Sequence, residues 1–212
     1  FLLVGVGGSG GKTLRVVREE LRVRLQQAGW REELPRAWQF VYVDVPTAPD
    51  GSESDLPSQL PSRDYTGMVA PGLTYKALDA TLTGKADDTV RDALGAWRPD
   101  PNKVNIPVSK GAGQFRAIGR MVTLTGLDKV HGALDAARRS LTGAEVIGEL
   151  QRLSRQLGGE DSPHMADPTV IVVSSIAGGS GAGAVIDVCD AIRALGDTWA
   201  SESLGLLYAP DV

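Results

Sequence analysis

The sequence predicts an α/β fold, a three-layer parallel sheet with helices on both faces, in which glycine-rich turns join strands to helices. Three observations carry that prediction. The chain opens on an almost wholly apolar run, Phe1-Leu2-Leu3-Val4-Gly5-Val6, and such runs without polar alternation mark strands buried on both faces. A strand, a glycine turn, a helix and a second strand follow one another within the first 45 residues, and a βαβ unit of this kind closes with parallel strands and a right-handed crossover. Glycine is also concentrated: of 26 in the 212 residues, 11 fall in the spans 5–11, 111–113 and 178–183. Glycine at that density is costly in conformational entropy and is kept where backbone turns sharply or something approaches it closely.

The elements follow in order. After the first strand and its glycines, Leu14, Val17, Leu21 and Leu25 recur at helical spacing among Arg15, Arg18, Glu19, Glu20, Arg22 and Arg24, which predicts an amphipathic helix over 12–28 stopped near Gly29. Residues 39–45, ending Val43-Asp44-Val45, read as the second strand. Residues 46–71 hold five of the 12 prolines with Ser52, Ser54, Ser58 and Ser62 and the acids Asp50, Glu53 and Asp55; this composition reads as a long surface loop, an insertion within the domain. A weaker helix is expected over 73–97, broken by Pro99 and Pro101. Ile118, Met121, Val122 and Leu124 begin another helix, and Leu127, Val130, Leu134, Ala137 and Leu141 continue its period to Thr142. Val146, Ile147, Leu150, Leu153 and Leu157 mark one more, ended by Gly158-Gly159, and 158–168 is a connection. Thr169 to Ile176 is the clearest strand, and the third glycine span follows it at once. Val185, Ile186, Val188, Cys189 and Ile192 make the next helix, and Leu204 to Tyr208 a last strand. The chain begins without Met and stops four residues later at Val212, which points to a piece of a longer protein, here a single domain over 1–212.

Composition narrows the function classes. At 42% hydrophobic and 23% charged residues with a net charge of -4, the chain is a folded globular protein rather than a disordered one. No run approaches the roughly 20 apolar residues of a membrane-spanning helix. One cysteine, Cys189, cannot make an internal disulfide, and two histidines, His131 and His164, offer no metal-site spacing. A reducing cytoplasm is the expected compartment. The 22 Lys and Arg are interleaved with 26 Asp and Glu rather than gathered into a basic patch, so no nucleic-acid partner is expected.

The glycine spans carry the chemistry. Val4-Gly5-Val6-Gly7-Gly8-Ser9-Gly10-Gly11-Lys12-Thr13 joins a strand to a helix, where unpaired N–H groups and the positive end of the helix dipole favour a phosphate. Gly5-x-Gly7-x-x-Gly10 satisfies the dinucleotide fingerprint, and Asp44 ends the second strand where a ribose-binding acid belongs, although it lies 34 residues after Gly10 rather than about 20. Gly11-Lys12-Thr13 ends like a Walker A loop, but the glycine needed five places earlier is Val6. A third reading has the glycines serve only tight packing of helix on strand. Ala177-Gly178-Gly179-Ser180-Gly181-Ala182-Gly183 repeats the arrangement after a second buried strand, so one sheet edge carries two anion turns. A dinucleotide domain does not need the second, whereas a polyphosphate chain can use both, with Ser180 adding a hydroxyl.

In these motifs the chain resembles the tubulin and FtsZ superfamily, and within it the bacterial tubulin-like proteins, a divergent actinobacterial-type branch. Val4 to Lys12 is similar to the first glycine loop of FtsZ, and Ala177 to Gly183 resembles the signature Gly-Gly-Gly-Thr-Gly-Ser/Thr-Gly. Lys110-Gly111-Ala112-Gly113, followed by Ile118-Gly119-Arg120, is similar to the FtsZ loop Gly-Ala-Gly-Ala-Asn-Pro-Glu-Ile-Gly-Arg near the terminal phosphate. The resemblance implies a Rossmann-like GTPase domain holding GTP or GDP with Mg²⁺ at the carboxyl ends of its strands. Gly7, Gly8, Ser9, Gly10, Gly11 and Lys12 would meet the inner phosphates. Ala177, Gly178, Gly179, Ser180, Gly181, Ala182 and Gly183 would follow the phosphate chain. Gly111, Ala112, Gly113 and Gln114 would lie at the terminal phosphate, with Asp44 at the nucleotide's edge.

The resemblance further implies head-to-tail assembly into filaments of a cytoskeletal kind, in which a neighbouring copy supplies the acid for hydrolysis from a region beyond this chain. Asp187, Asp190 and Asp211 are not given that role; Asp187 and Asp190 are expected to face solvent. There are departures from the family pattern. Lys12 stands where FtsZ has Asn; Ala177, Ser180 and Ala182 replace Gly, Thr and Ser or Thr; Gln114-Phe115-Arg116 replaces Ala-Asn-Pro. Each lost donor at a charged ligand costs about 1–3 kcal/mol, and Lys12 and Arg116 carry compensating charge. The alternatives are a Rossmann-type NAD(P)-binding domain and a non-hydrolysing tubulin-like scaffold that works through protein partners, with the 46–71 insertion as a docking element.

Overall fold

The computed structural model describes residues 1–49, 51, 53–104, 106–159 and 167–209. Five parallel strands form one sheet in the order β3-β2-β1-β4-β5: β1 (Leu2–Val6), β2 (Gln39–Asp44), β3 (Tyr65–Gly67), β4 (Val170–Ser175) and β5 (Ser203–Tyr208). From β1 the chain steps outward to β2 and β3, then returns to the other side of β1 for β4 and β5. The reversal leaves β1 hydrogen-bonded to both β2 and β4, with Leu2 opposite Gln39 on one side and Val170 on the other. Crevices at such a reversal, beyond the carboxyl ends of the strands, are where open α/β sheets bind ligands.

Alternation along the strands sorts their side chains between two layers. Leu2, Val4, Val6, Val41, Val43, Val170 and Val172 face the larger core. That core is closed by α4 (Arg116–Thr125), α5 (Leu127–Leu141) and α7 (Ser180–Arg193), with α2 (Tyr75–Lys85) and α3 (Asp88–Gly95) at its margin. Leu3, Phe40 and Tyr42 face the other way onto Leu14 of α1 (Gly7–Gln27) and onto Leu60. α6 (Ala144–Gln156) packs Leu153 against Leu25 and Trp30 at the far end of α1. α8 (Asp197–Ser201) is a single short turn before β5. All six residues of β5 are exposed. No helix among the described residues is long and apolar enough to cross a membrane.

Several elements differ from the sequence prediction. The helix expected over 73–97 is two, because Ala86 is extended and the Asp87 carboxylate accepts from Val90 N–H to start α3 afresh. The long period from 118 to 142 is likewise two helices. They part at Gly126, where a Cβ would meet Met68 Cβ at 2.9 Å. Residues 46–71 are not one loop: they contain a 3₁₀ turn (Ser62–Asp64) and the edge strand β3, whose Tyr65 ring stands edge-on to Tyr42 at 5.0 Å. Met68 and Val69, beyond β3, are buried. The placement of the glycines also differs, since residues 7–11 and 180–183 lie inside the first turns of α1 and α7 rather than before them. Asp50, Ser52, most of the 158–168 connection with Glu160, Asp161, Pro163 and His164, and Asp211 lie outside the described residues.

Candidate nucleotide site at the sheet edge

β1 and β4 are neighbours and both end at the same edge, so the helices that follow them, α1 and α7, start side by side. Neither start is capped by a side chain, and neither has an acidic residue in its first turn. Two sets of leading amides, and the positive ends of two helix dipoles, therefore share one region.

The approach is close enough to dictate glycine. Gly7 has φ +72°, and a Cβ on it would lie 2.5 Å from Gly181 N. A Cβ on Gly10 would strike Val173 O, and one on Gly11 the Tyr42 ring. At Gly181 it would lie 2.8 Å from Ser174 Oγ and 3.0 Å from Val6 O. Ser174, wholly buried, ties the strands together by donating to Val6 O at 3.2 Å.

The middle span joins the other two through α7. Gly179 N–H donates to Gly113 O at 2.8 Å, and a Cβ on Gly179 would lie 2.6 Å from that same oxygen. Gly119 fits against Gly179 O, and Gly183 lies against Arg116 O and Arg120 N, so α4 and α7 meet along glycine. Ala112 is buried between them. All three glycine spans thus converge, the first and third as their strand-to-helix turns imply and the second as the family resemblance implies.

Packing accounts for Gly10, Gly11, Gly179, Gly181 and Gly183, and backbone conformation for Gly111 (φ +128°) and Gly113 (φ +55°). Gly178 needs neither: its φ is ordinary, and a Cβ there would have nothing within 4 Å. A glycine that its own protein does not require, beside two uncapped helix starts, leaves backbone open to a ligand. Ser9, Gly113, Gln114 and Ala177 are exposed, and Gly8, Lys12, Gly111, Gly178, Ser180 and Ala182 partly so. The remaining predicted positions are buried.

Asp44 is among the buried. It ends β2 on the correct edge, but Oδ2 accepts from the Tyr42 hydroxyl at 2.8 Å and Oδ1 from Val45 N–H at 2.7 Å. With 3% exposure it is not presented to a ribose. It holds Tyr42, whose ring in turn backs Gly11.

Charge pairings that the sequence does not show complete the region. Lys12 Nζ lies 2.6 Å from Glu53 Oε1, and Arg15 holds the other oxygen of Glu53 at 3.1 Å. Arg15 is itself buried, with Nε donating to Pro57 O at 2.8 Å. Only the spacing of Lys12 and Arg15 along one helix hinted at a shared partner. On the far side, Arg120 stacks over Trp97 at 5.0 Å and pairs with Asp187 at 3.3 Å. Asp187 therefore does not face solvent. It is buried, and burial pushes its carboxyl above the usual range, with Arg120 opposing. Asp190 is exposed as expected and reaches Arg193. Among the described residues no group of three His, Cys, Asp or Glu side chains is placed to hold a metal.

A comparison with curated proteins returns no match for this chain. The family model described as tubulin-like matches residues 2–212. With that match spanning the sheet and all three glycine spans, the chain belongs to the tubulin-like family, within the tubulin and FtsZ superfamily.

Proposed function

We propose that this protein binds a guanine nucleotide, GTP or GDP, with its phosphates in the crevice between the starts of α1 and α7. The observation that carries this is the pairing of two uncapped helix starts with Gly178, a glycine open to that crevice. The amides of Gly7 to Gly11 hold the inner phosphates. Those of Gly178 to Gly183, with the Ser180 hydroxyl, follow the chain, and Gly111 to Gly113 with Gln114 approach the terminal phosphate. Asp44 supports Gly11 through Tyr42 instead of contacting the nucleotide. Mg²⁺ would screen phosphate charge through phosphate oxygens and water, since no carboxylate cluster is placed for it among the described residues.

Self-association is the second part of the proposal. Copies meeting head to tail complete each other's sites, the neighbour providing the acid that orients the hydrolytic water, and a heterologous contact of that kind propagates into a filament. The proposed setting is the reducing cytoplasm, where Cys189 stays a half-buried thiol whose burial pushes its pKa up.

Calorimetry with GTP, GDP, ATP and NAD, with and without Mg²⁺, tests the site. Gly178→Val should abolish GTP binding while leaving the thermal unfolding curve unchanged. Preference for NAD, or undiminished GTP binding by that variant, would overturn the assignment. For assembly, light scattering should rise on adding GTP; a monomer signal at high protein concentration would count against filaments.

A further inference from the structure

We propose that Glu53 is a built-in competitor of the nucleotide's phosphates, holding Lys12 away from the crevice until a polyphosphate displaces it. The inference rests on the phosphate site proposed above.

Lys12 is the first charged residue of α1. Helical Cα–Cβ bonds tilt toward the N-terminus, so its flexible four-carbon stem can carry the ammonium back over Gly8 and Ser9. Instead the ammonium sits 2.6 Å from Glu53. The carboxylate is fixed from behind: Arg15, one helical turn beyond Lys12, holds its other oxygen at 3.1 Å and is anchored on Pro57 O.

Exposure separates the fixed partner from the movable one. Arg15 is 5% exposed and Glu53 30%, but Lys12 is 44% exposed. Lys12 can leave without unpacking anything, while Arg15 keeps Glu53 and its segment on α1. In this arrangement Glu53 weakens phosphate binding by occupying the Lys12 ammonium. Losing one partly exposed pair of this kind changes affinity by roughly 1.4- to 5-fold.

The test compares guanosine, GDP and GTP binding to the wild-type chain, Glu53→Gln, Lys12→Gln and the double variant. Glu53→Gln should bind GTP about 2- to 5-fold more tightly and GDP less so, with guanosine unchanged. The gain should vanish when Lys12 is already Gln. Unchanged or weaker GTP binding by Glu53→Gln, with wild-type binding intact, would overturn the competitor and leave the nucleotide site standing. A gain that persists without Lys12, or that extends to guanosine, would overturn it as well. If neither the wild type nor Glu53→Gln binds any guanine nucleotide, the site and its competitor fall together.

Discussion

Gly181→Ala separates glycines kept for packing from glycines kept for a ligand. The added Cβ would lie 2.8 Å from Ser174 Oγ, 3.0 Å from Val6 O and 3.1 Å from Ser175 O. Two of these are sheet carbonyls that cannot step aside. Overpacking of this kind costs about 1–3 kcal/mol. If Ser174 rotates away, its hydrogen bond to Val6 O is lost as well, about 1 kcal/mol more. Against this stands a helix-propensity gain of at most about 1 kcal/mol for Ala over Gly. The net expectation is a loss of about 1–3 kcal/mol, read as a fall of roughly 1 M in the urea midpoint for a slope near 2 kcal/mol/M. Gly178→Ala, with nothing within 4 Å of the new carbon, should stay within about 0.5 kcal/mol of the wild type or gain slightly from a stiffer unfolded chain. Equal midpoints for the two variants would refute the division between them.

Two pH dependences follow from the charged surroundings. The hydrogen bond from Lys12 holds the Glu53 carboxyl below its ordinary 4.5. Its hold on the 53–57 segment should therefore be complete above that value and fade as pH falls through the lowered one; limited proteolysis between residues 53 and 61 should show full protection at pH 6 and falling protection as the pH is taken progressively below 4.5. Tyr75 goes the other way: burial pushes its phenol from 10 up to about 12. Stability from this group is present below pH 10 and lost as pH rises toward 12, so absorbance titration should find the Tyr75 phenol, identified by its loss in Tyr75→Phe, ionising near pH 12.

Much of this architecture was legible because its signals are strong and local. β1, β2 and β4 are runs too apolar for any other use, and the period of α1 and α5 is regular. β3 and α8 were missed for the opposite reason, since three and five residues are too few to establish a period. The breaks at Asp87 and Gly126 are a cap and a contact with Met68, features that interrupt a helix without interrupting its hydrophobic spacing. At the site, two successive strand-to-helix glycine turns implied a shared edge. What they could not reveal is which glycines pack and which stay open. That division depends on carbonyls brought in by other elements, as Gly113 O is for Gly179. Asp187 and Glu53 were misjudged or overlooked because their partners, Arg120 and Arg15, lie 67 and 38 residues away.

The pairing of β1 with β4 also sets an order of events in time. The first and third glycine turns are held together across 168 residues of sequence, the separation of Ser174 from Val6. Loop closure over that distance comes late, after the local β1-α1-β2 unit has had its chance to form. At a synthesis rate of roughly 5–20 residues per second, β1 waits on the order of 10–30 s on the ribosome before β4 exists. During that wait its β4-facing edge is an open, apolar strand edge of the kind that attracts wrong partners. The crevice is thus among the last features of the molecule to appear, and a newly made chain has no place for a phosphate until its two halves have met.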